Sequence, residues 1–260
     1  MIHVVPHAPT IFRDIPASMA GRLTMQRLVE PELLDGLPAD DPRAIRSRRD
    51  LRRINALMGN VRVLSSAIQE TFIRKPPKRI ADLGAGDGTL MLRLARNLPA
   101  QWRDVELVLV DRRAIISDET RCQFEALSWR VKFAAADVTE WLTQSARDRM
   151  DLITANLFLH HFSEAGLRQI LSLASERTNC FLACDPRRYP AAMRASRWLW
   201  LIGCSSVTRH DAAASIRAGF DRHELSALWP ADGNWDVREA AAGLFSHRFQ
   251  AQHRNGRANP

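Results

Sequence analysis

The sequence predicts an α/β fold in which helices flank a mostly parallel sheet. An apolar run at residues 80–83 has the length and composition of a short buried strand, and it ends in a glycine-rich turn. Residues 89–98 carry apolar side chains at helical spacing, and a second β-branched apolar run follows at residues 105–111. A strand, a glycine turn, a helix and another strand, in this order, are typical of doubly wound sheets.

The glycine turn indicates what kind of ligand the fold binds. Gly84, Gly86 and Gly88 let the backbone turn sharply and approach a ligand, which the free N–H groups at the helix start then face. Their G-x-G-x-G spacing differs from the G-x-G-x-x-G that seats the pyrophosphate of a dinucleotide. Asp82 lies two residues before the first glycine, where a carboxylate suits a cationic amino group and repels a phosphate.

The segment Asp-Leu-Gly-Ala-Gly-Asp-Gly at residues 82–88 resembles the first motif of class I S-adenosylmethionine (SAM)-dependent methyltransferases. The resemblance extends over roughly residues 78–252. It implies a Rossmann-like doubly wound sheet of seven strands, with SAM as the cofactor and S-adenosylhomocysteine as its product. The expected cofactor contacts are Asp82, Gly84, Ala85, Gly86, Gly88, Asp111, Arg112, Asp137, Val138, Asn156 and Leu157.

Two strand-end carboxylates are assigned to the nucleoside part of the cofactor. Asp111 lies 23 residues beyond Gly88, about where a doubly wound fold places the carboxylate that binds the ribose diol. A helix cap is the alternative for this residue. Asp137 follows a third predicted strand, and the resemblance implies that it accepts a hydrogen bond from the adenine amino group. Its alternative is an N-cap for a helix that starts at Thr139, and both roles are compatible.

Candidate general bases follow the fourth predicted strand. The segment Asn-Leu-Phe-Leu-His-His-Phe at residues 156–162 resembles that of small-molecule methyltransferases related to the quinone-biosynthesis group. It lacks the Asp or Asn, Pro, Pro and aromatic pattern of enzymes that methylate amino groups of bases. His160, His161 and His210, the last beside Asp211, are the candidates, with a structural hydrogen bond as the alternative for each. Adjacent side chains diverge by about 100°, so at most one of the first two faces the acceptor, and the resemblance slightly favours His161. His210 is an equal contender, because its helix is expected to return to the same edge of the sheet and Asp211 or another carboxylate can orient its ring.

The resemblance implies methyl transfer to an oxygen of a small hydrophobic aromatic or polyketide-like metabolite, as in bacterial O-methyltransferases of secondary metabolism. SAM carries its own leaving group, so alignment in a dry site is the main requirement and no metal is expected. Two alternatives stay open. The first is an RNA or protein methyltransferase that uses the basic segment at residues 43–79. The second is a methyltransferase-like partner domain without catalysis.

Charge is concentrated in one segment. The chain has a net charge of +8, and residues 43–79 hold eleven basic residues against two acids. An apolar stripe at helical spacing from Leu51 to Phe72 predicts one amphipathic helix there. Its basic face is either solvated or in contact with an anionic substrate, a membrane or a nucleic acid. The charge distribution makes a nucleic-acid partner less favoured than a small acceptor, and the oligomeric state stays open.

Four cysteines without a CxxC pair or a Cys/His cluster indicate neither a disulfide framework nor a zinc site, so reduced thiols and a cytoplasmic location are expected. No secretory signal is recognised, and the apolar run at residues 198–204 is far too short to span a bilayer. Peripheral membrane contact stays open for that run.

Three regions are expected: an N-terminal helical extension at residues 1–77, the SAM-binding domain at 78–252 and a disordered tail at 253–260. A short helix is expected at residues 17–29. An apolar helix is expected at residues 189–204 near the pocket, followed by a helix capped by Thr208. The last strands are expected at residues 224–228, 235–240 and 244–251.

Overall fold

The computed structural model describes residues 25–38, 40–113, 116–144 and 149–254. Within these ranges the chain forms eight α-helices and seven strands. The helices are α1 (Pro42–Met58), α2 (Asn60–Thr71), α3 (Thr89–Asn97), α4 (Asp118–Glu125), α5 (Val138–Gln144), α6 (Glu164–Arg177), α7 (Pro190–Ser196) and α8 (Ser206–Ala218). The strands are β1 (Arg79–Leu83), β2 (Val105–Asp111), β3 (Trp129–Ala135), β4 (Leu152–Asn156), β5 (Cys180–Pro186), β6 (Trp235–Ala242) and β7 (Ser246–His253).

The seven strands form one sheet in the order β3-β2-β1-β4-β5-β7-β6. The first five strands run parallel, and β7 pairs antiparallel with both β5 and β6. The winding direction reverses between β1 and β4, and open α/β sheets bind ligands at the carboxyl ends of the strands beside such a reversal. The predicted seven-stranded doubly wound sheet is confirmed.

Both faces of the sheet are covered, because the central strands are apolar on both sides. Strand β1 is buried from Ile80 to Leu83. On one face of the sheet, α2 contributes Leu64, Ala67 and Ile68 to the same core as Ile80. The division at residue 77 remains a prediction, and α2 packs with the core of the sheet rather than apart from it.

The basic segment forms two helices instead of the single one predicted. Gly59 ends α1 with a left-handed φ of 70°, and α2 begins at the next residue. A glycine adopts this conformation without the steric penalty of a Cβ, so the chain changes direction between Met58 and Asn60. The apolar stripe that suggested one helix is therefore shared by two.

The predicted strand at residues 224–228 is wrong. These residues form turns, and the Glu239 carboxylate on β6 accepts hydrogen bonds from the backbone N–H groups of Leu225 (3.0 Å) and Ser226 (2.6 Å). A side chain thus takes the donors that a strand ladder would use. Trp229, just beyond the turns, is buried in the core.

Other boundaries also differ from the predictions. The apolar segment 189–204 forms α7 and a separate 3₁₀ turn at Leu199–Ile202 rather than one helix. The N-cap of α8 is Ser205, whose hydroxyl accepts from the Thr208 backbone N–H, so Thr208 is not the cap.

The two ends of the predicted domain scheme lie partly outside the described residues. Of the predicted helix at 17–29, residues 17–24 lie outside them, and residues 25–29 are not helical. Strand β7 continues through His253 because it pairs with Trp235 of β6 there. The remainder of the predicted tail, residues 255–260, lies outside the described residues. Among the helices that are described, none has both the length and the apolarity needed to cross a membrane.

Candidate active site

The glycine loop lies between β1 and α3, and its glycines serve different purposes. Gly84 has a φ of 69°, and a Cβ added there would lie 2.2 Å from Cδ2 of Phe158. Gly86 has a φ of 55°, but no atom lies within 4 Å of the position that its Cβ would take. Gly84 is therefore required by packing inside the protein, whereas Gly86 leaves open space into which a ligand can approach the backbone.

Asp82 lies on β1 below this loop, with only 4% of its surface exposed. Burial raises the pKa of its carboxyl group to about 7, because the charged form loses hydration. A 2.6 Å hydrogen bond from the Thr154 hydroxyl offsets part of this shift, and the charge of Asp111 adds to it. A cationic ligand group beside Asp82 would favour the ionised carboxylate.

Asp111 holds the glycine loop from the end of β2. Its carboxylate accepts from the Gly86 backbone N–H at 2.9 Å and from the Arg113 backbone N–H at 3.0 Å. The Asp111 carboxylate thus fixes the conformation of the glycine loop. Its contact with the ribose stays a prediction. Because the Gly86 N–H is hydrogen-bonded to the Asp111 carboxylate, the open side of the loop and this strand-end carboxylate keep a fixed position relative to each other.

Asp137 at the end of β3 is fully engaged by the protein. One carboxylate oxygen accepts from the Thr139 backbone N–H at 2.8 Å, which is the N-cap interaction named as its alternative role. The other accepts from the Arg112 guanidinium at 2.5 Å. The Thr139 hydroxyl, followed by Arg112, lowers the pKa of Asp137 to about 2 despite some desolvation. Its contact with adenine stays a prediction, as do those of Arg112 and Val138.

A cavity of about 830 Å³ opens at the carboxyl edge of the sheet, beside the glycine loop. One part of its wall, the glycine-loop half, comprises the predicted residues Asp82, Gly84, Ala85, Gly86, Asn156 and Leu157, together with Asp87, Thr89 and Leu90. The other part, the histidine half, includes Glu32, His160 and His161 with apolar side chains of α1, α7, the 199–202 turn and α8. Gly88, Asp111, Arg112, Asp137 and Val138 do not contribute to this wall.

The turn after β4 connects the two halves. The Asn156 side chain accepts a hydrogen bond of 2.9 Å from the Asn60 amide, so α2 fixes its orientation. Leu157 has a φ of 50°, a left-handed conformation that is unfavourable for a leucine, and its N–H donates to the Cys184 carbonyl at 2.9 Å. Backbone strain of this kind is common at functional sites.

His160 is buried between two carboxylates. Its Nδ1 lies 2.8 Å from Asp185 Oδ1, and its Nε2 lies 3.5 Å from Glu32 Oε1. Burial alone lowers the pKa of this imidazole, but Asp185 and Glu32 outweigh it and raise the pKa to about 9. His160 is therefore a cation at neutral pH and has no free lone pair with which to accept a proton.

His161 differs from its neighbour although their rings lie only 4.2 Å apart. His161 is exposed, and it lines the cavity. Desolvation, followed by the positive charge of His160, lowers its pKa. A histidine with a lowered pKa is neutral at pH 7, so His161 has the protonation state that a general base requires.

His210 does not share this site. It lies on α8 with 51% of its side chain exposed, and it does not line the cavity. Its Nδ1 lies 3.1 Å from Asp211. The buried Asp211 carboxylate accepts from the backbone N–H groups of Leu33 and Leu34, and it thus anchors the N-terminal segment on α8. The helix returns to the cavity as predicted, since Ala212, Ser215 and Ile216 of α8 line it, but the prediction that His210 faces the acceptor is not supported because its side chain lies outside the cavity wall.

Two carboxylates of the site were not recognised from the sequence. Asp185 is the penultimate residue of β5, and its position at the carboxyl edge of a strand was an available signal. Glu32 lies 128 positions before His160, in a segment without periodicity, and no local pattern marks it. Its side chain is held by the Ser215 hydroxyl on α8, and the segment around it is held by Asp211.

Glu32, His160 and His161 are also the group among the described residues that could hold a metal ion, since their ligand atoms lie within 4.8 Å of one another. A metal on His160 would have to displace a proton that Glu32 and Asp185 hold up to a pKa of about 9. The arrangement around this ring, with a carboxylate at each nitrogen, is that of a buried imidazolium.

Comparison with known proteins shows similarity to methyltransferases in part of the sequence and in the fold. Residues 80–178 match the family model described as a methyltransferase domain. The chain is similar in structure to an O-methyltransferase family protein from Burkholderia thailandensis (18% identity, TM-score 0.55, 83% of this chain and 61% of that chain). It is also similar to the plantazolicin methyltransferase BamL, solved with a triazolic desmethylPZN analog and SAH (10% identity, TM-score 0.62, 84% of this chain and 93% of that chain). A third similar structure is mitomycin 7-O-methyltransferase (18% identity, TM-score 0.56, 85% of this chain and 60% of that chain).

These identities are low, so the similarity concerns the fold. The chain spans 61% of the length of the Burkholderia protein and 60% of that of the mitomycin enzyme. No curated protein matches the chain in sequence. The fold is that of the class I methyltransferases. The sequence similarity to a methyltransferase domain covers residues 80–178.

Proposed function

We propose that this protein transfers the methyl group of SAM to an oxygen of a small, hydrophobic aromatic or polyketide-like acceptor. The observation that carries the proposal is the single cavity of about 830 Å³ whose wall joins the glycine loop to His161. Its volume is in the range of small-molecule sites, which extends to roughly 1,000 Å³. The names of two similar structures, an O-methyltransferase family protein and mitomycin 7-O-methyltransferase, support oxygen as the methylated atom.

The glycine-loop half provides the groups that suit SAM. Gly86 leaves the backbone open to the methionine part, and Asp82 provides a carboxylate for its cationic amino group. When SAM is bound, its sulfonium supplies an activated methyl group. The task of the protein is then to hold the acceptor oxygen in line with that methyl group and to exclude water.

The histidine half provides the base. Full transfer of a phenol proton to a histidine in water is unfavourable by about 3.5 pKa units, or roughly 5 kcal/mol, so alignment and nearby charge must assist it. His161 starts neutral, and the carboxylates of Glu32 and Asp35 stabilise the cation that it becomes. His160 cannot take this role while Asp185 and Glu32 keep it protonated. We assign His160 to holding Glu32 in position.

The apolar wall selects the acceptor class. Leu51, Ile54 and Met58 of α1 face the cavity, as do Leu199 and Ile216 from the other side. A flat or extended apolar molecule gains from burial against such a wall, by about 25 cal/mol per Å² of apolar surface. One hydroxyl group directed at His161 would complete the recognition.

The proposal is tested in two steps. Calorimetric titration with SAM and with S-adenosylhomocysteine should show binding at one site. A panel of phenols and aliphatic alcohols of increasing apolarity, incubated with methyl-labelled SAM, should then give labelled ethers from the apolar phenols. Binding of SAM without transfer to any oxygen compound would refute the acceptor class, and no binding of SAM would refute the cofactor site itself.

A further inference from the structure

An apolar loop beside the cavity is exposed to solvent. The apolar loop consists of residues 198–202, Trp-Leu-Trp-Leu-Ile. Trp198 is 61% exposed, Trp200 54%, Leu201 60% and Ile202 42%. Contiguous large apolar side chains at this exposure are uncommon on a soluble protein and usually mark a surface that binds something.

The apolar loop is continuous with the cavity. Trp198, Leu199 and Ile202 also line the cavity wall, as does Leu57 of α1, which is 68% exposed. Trp200 and Leu201 do not line it. The exposed patch therefore lies at the mouth of the cavity. An apolar acceptor in contact with this patch can enter the cavity without crossing bulk water.

Arginines lie beside the apolar loop. Five arginines and no acid lie between Asp185 and Asp211, and of these Arg194 and Arg197 are exposed directly before the loop. Helix α1 adds six arginines, of which Arg43, Arg52 and Arg53 pair with the carboxylates of Asp41, Asp87 and Asp50. The Arg46 guanidinium lies 3.5 Å from the Gly203 carbonyl, and the Asp50 carboxylate accepts from the Ser205 N–H at 2.8 Å. These contacts place α1 beside the loop.

We propose that the apolar loop and the arginines beside it dock the cavity mouth on an anionic lipid bilayer. Tryptophan suits the membrane interface because its ring is apolar and its N–H is polar. Each arginine near an anionic surface strengthens binding about fivefold. The two features together meet the requirement for stable peripheral binding, which needs an apolar insertion and a basic patch.

The experiment measures sedimentation of the full chain with vesicles of phosphatidylcholine, alone or mixed with phosphatidylglycerol. We expect binding to the anionic vesicles, at least about tenfold weaker binding to the neutral ones, and weakening as salt rises. Leu201→Asp should reduce binding by about tenfold or more, because a charged residue replaces an inserted one. Leu244→Asp is the matched control, since Leu244 is 71% exposed on the turn between β6 and β7, and it should bind like the parent.

A second variant, Trp200→Ala, guards against misfolding of the first, and thermal unfolding of both should match the parent. Neither residue lines the cavity, so transfer to a water-soluble acceptor should be unchanged. Equal vesicle binding by parent, Leu201→Asp and Leu244→Asp would overturn the proposal. The absence of vesicle binding by the parent would also overturn the proposal. This holds if the parent dimerises through the patch, and it holds if the parent binds RNA. These results are independent of methyl transfer, so a failure here leaves the proposed function standing.

Discussion

The two halves of the cavity differ in how far apart in the chain their residues lie. The glycine-loop half is dominated by residues 82–90, one strand, one turn and the start of one helix. The histidine half combines Glu32, residues 51–58, the turn after β4 and residues 192–216. A cofactor that is the same across a fold can be bound by one local motif. An acceptor pocket has to be assembled from segments whose positions depend on the complete fold.

The halves also differ electrostatically. In the glycine-loop half, burial raises the pKa of Asp82 to about 7, so a cation beside it can ionise this carboxyl group at neutral pH. In the histidine half, two carboxylates hold one histidine charged, and that charge helps to keep its neighbour neutral. Variants that affect one half should therefore change SAM binding, and variants in the other half should change the rate of transfer.

The largest effect is expected from His161→Gln. Loss of a general base should lower the rate of methyl transfer by about 10²- to 10⁴-fold, while the Kd for SAM stays within about twofold. His210→Gln is the matched control, because this histidine lies outside the cavity, and its rate should stay near that of the parent.

The pH dependence follows from the sign of the shift. His161 acts as a base only when it is neutral, and its pKa lies below the usual 6.5 of a histidine. The parent should therefore lose activity only at pH values below 6.5, where His161 becomes protonated. The variant should lack this acid limb. A rate for His161→Gln within a few-fold of the parent would mean that transfer needs no base here.

The next effect separates two glycines of one loop. Gly84→Ala should lower the free energy of unfolding by about 3 kcal/mol, since its Cβ overlaps Phe158 and its φ is left-handed. Gly86→Ala should lower it by only about 1 kcal/mol, from φ alone, and should instead weaken SAM binding. Denaturant unfolding and calorimetry measure the two quantities. Equal losses of stability with unchanged SAM affinity would contradict the assignment of Gly86 to the ligand.

Asp111→Ala should weaken SAM binding by about 2 to 3 kcal/mol, by removing charge-assisted contacts to the ribose and the carboxylate that holds Gly86. Glu125→Ala, an exposed acid on α4, is the control. The transfer rate at saturating SAM should change much less than in His161→Gln. An unchanged Kd for Asp111→Ala would place the ribose elsewhere.

The smallest effect concerns one proton. Because the pKa of Asp82 is raised to about 7, this carboxyl group is largely protonated near pH 6, and a bound cation should ionise it. SAM binding at about pH 6 should therefore release up to about one proton, and at about pH 8.5 none. Calorimetry in buffers of different ionisation enthalpy measures this number. Asp82→Asn should abolish the release, and equal release by parent and variant would exclude Asp82 as its source.

How much was predictable differs between the halves for a physical reason. The order of the strands from β1 to β5, the glycine loop and the position of Asp111 at the end of β2 follow from periodicity and from spacing within about thirty residues, since each is a local property of the chain. The pairing of Glu32 with His160 depends on Asp211 and Ser215 of α8, which anchor a segment without any pattern of its own. The opposite pKa shifts of the two adjacent histidines depend on the carboxylates of Asp185 and Glu32, which outweigh burial at His160 and come from segments distant in the chain.

Two errors have the same origin. The turns at 224–228 carry apolar residues in strand-like order, but Glu239 of β6 takes their backbone donors. His210 contacts the neighbouring Asp211, as in a catalytic pair, but this carboxylate also anchors the backbone of residues 33 and 34, and His210 lies outside the cavity. In both cases a distant partner decides the role of a local pattern.

The atom that receives the methyl group distinguishes transfer to oxygen from transfer to nitrogen or carbon. The protein is incubated with SAM that carries a ¹³C-labelled methyl group and with the best apolar phenol from the acceptor panel, and the product is examined by ¹³C NMR. We expect one new methoxy resonance, which is lost in His161→Gln. A methyl resonance on nitrogen or on carbon, or a methoxy product formed at the parental rate by the variant, would contradict this expectation.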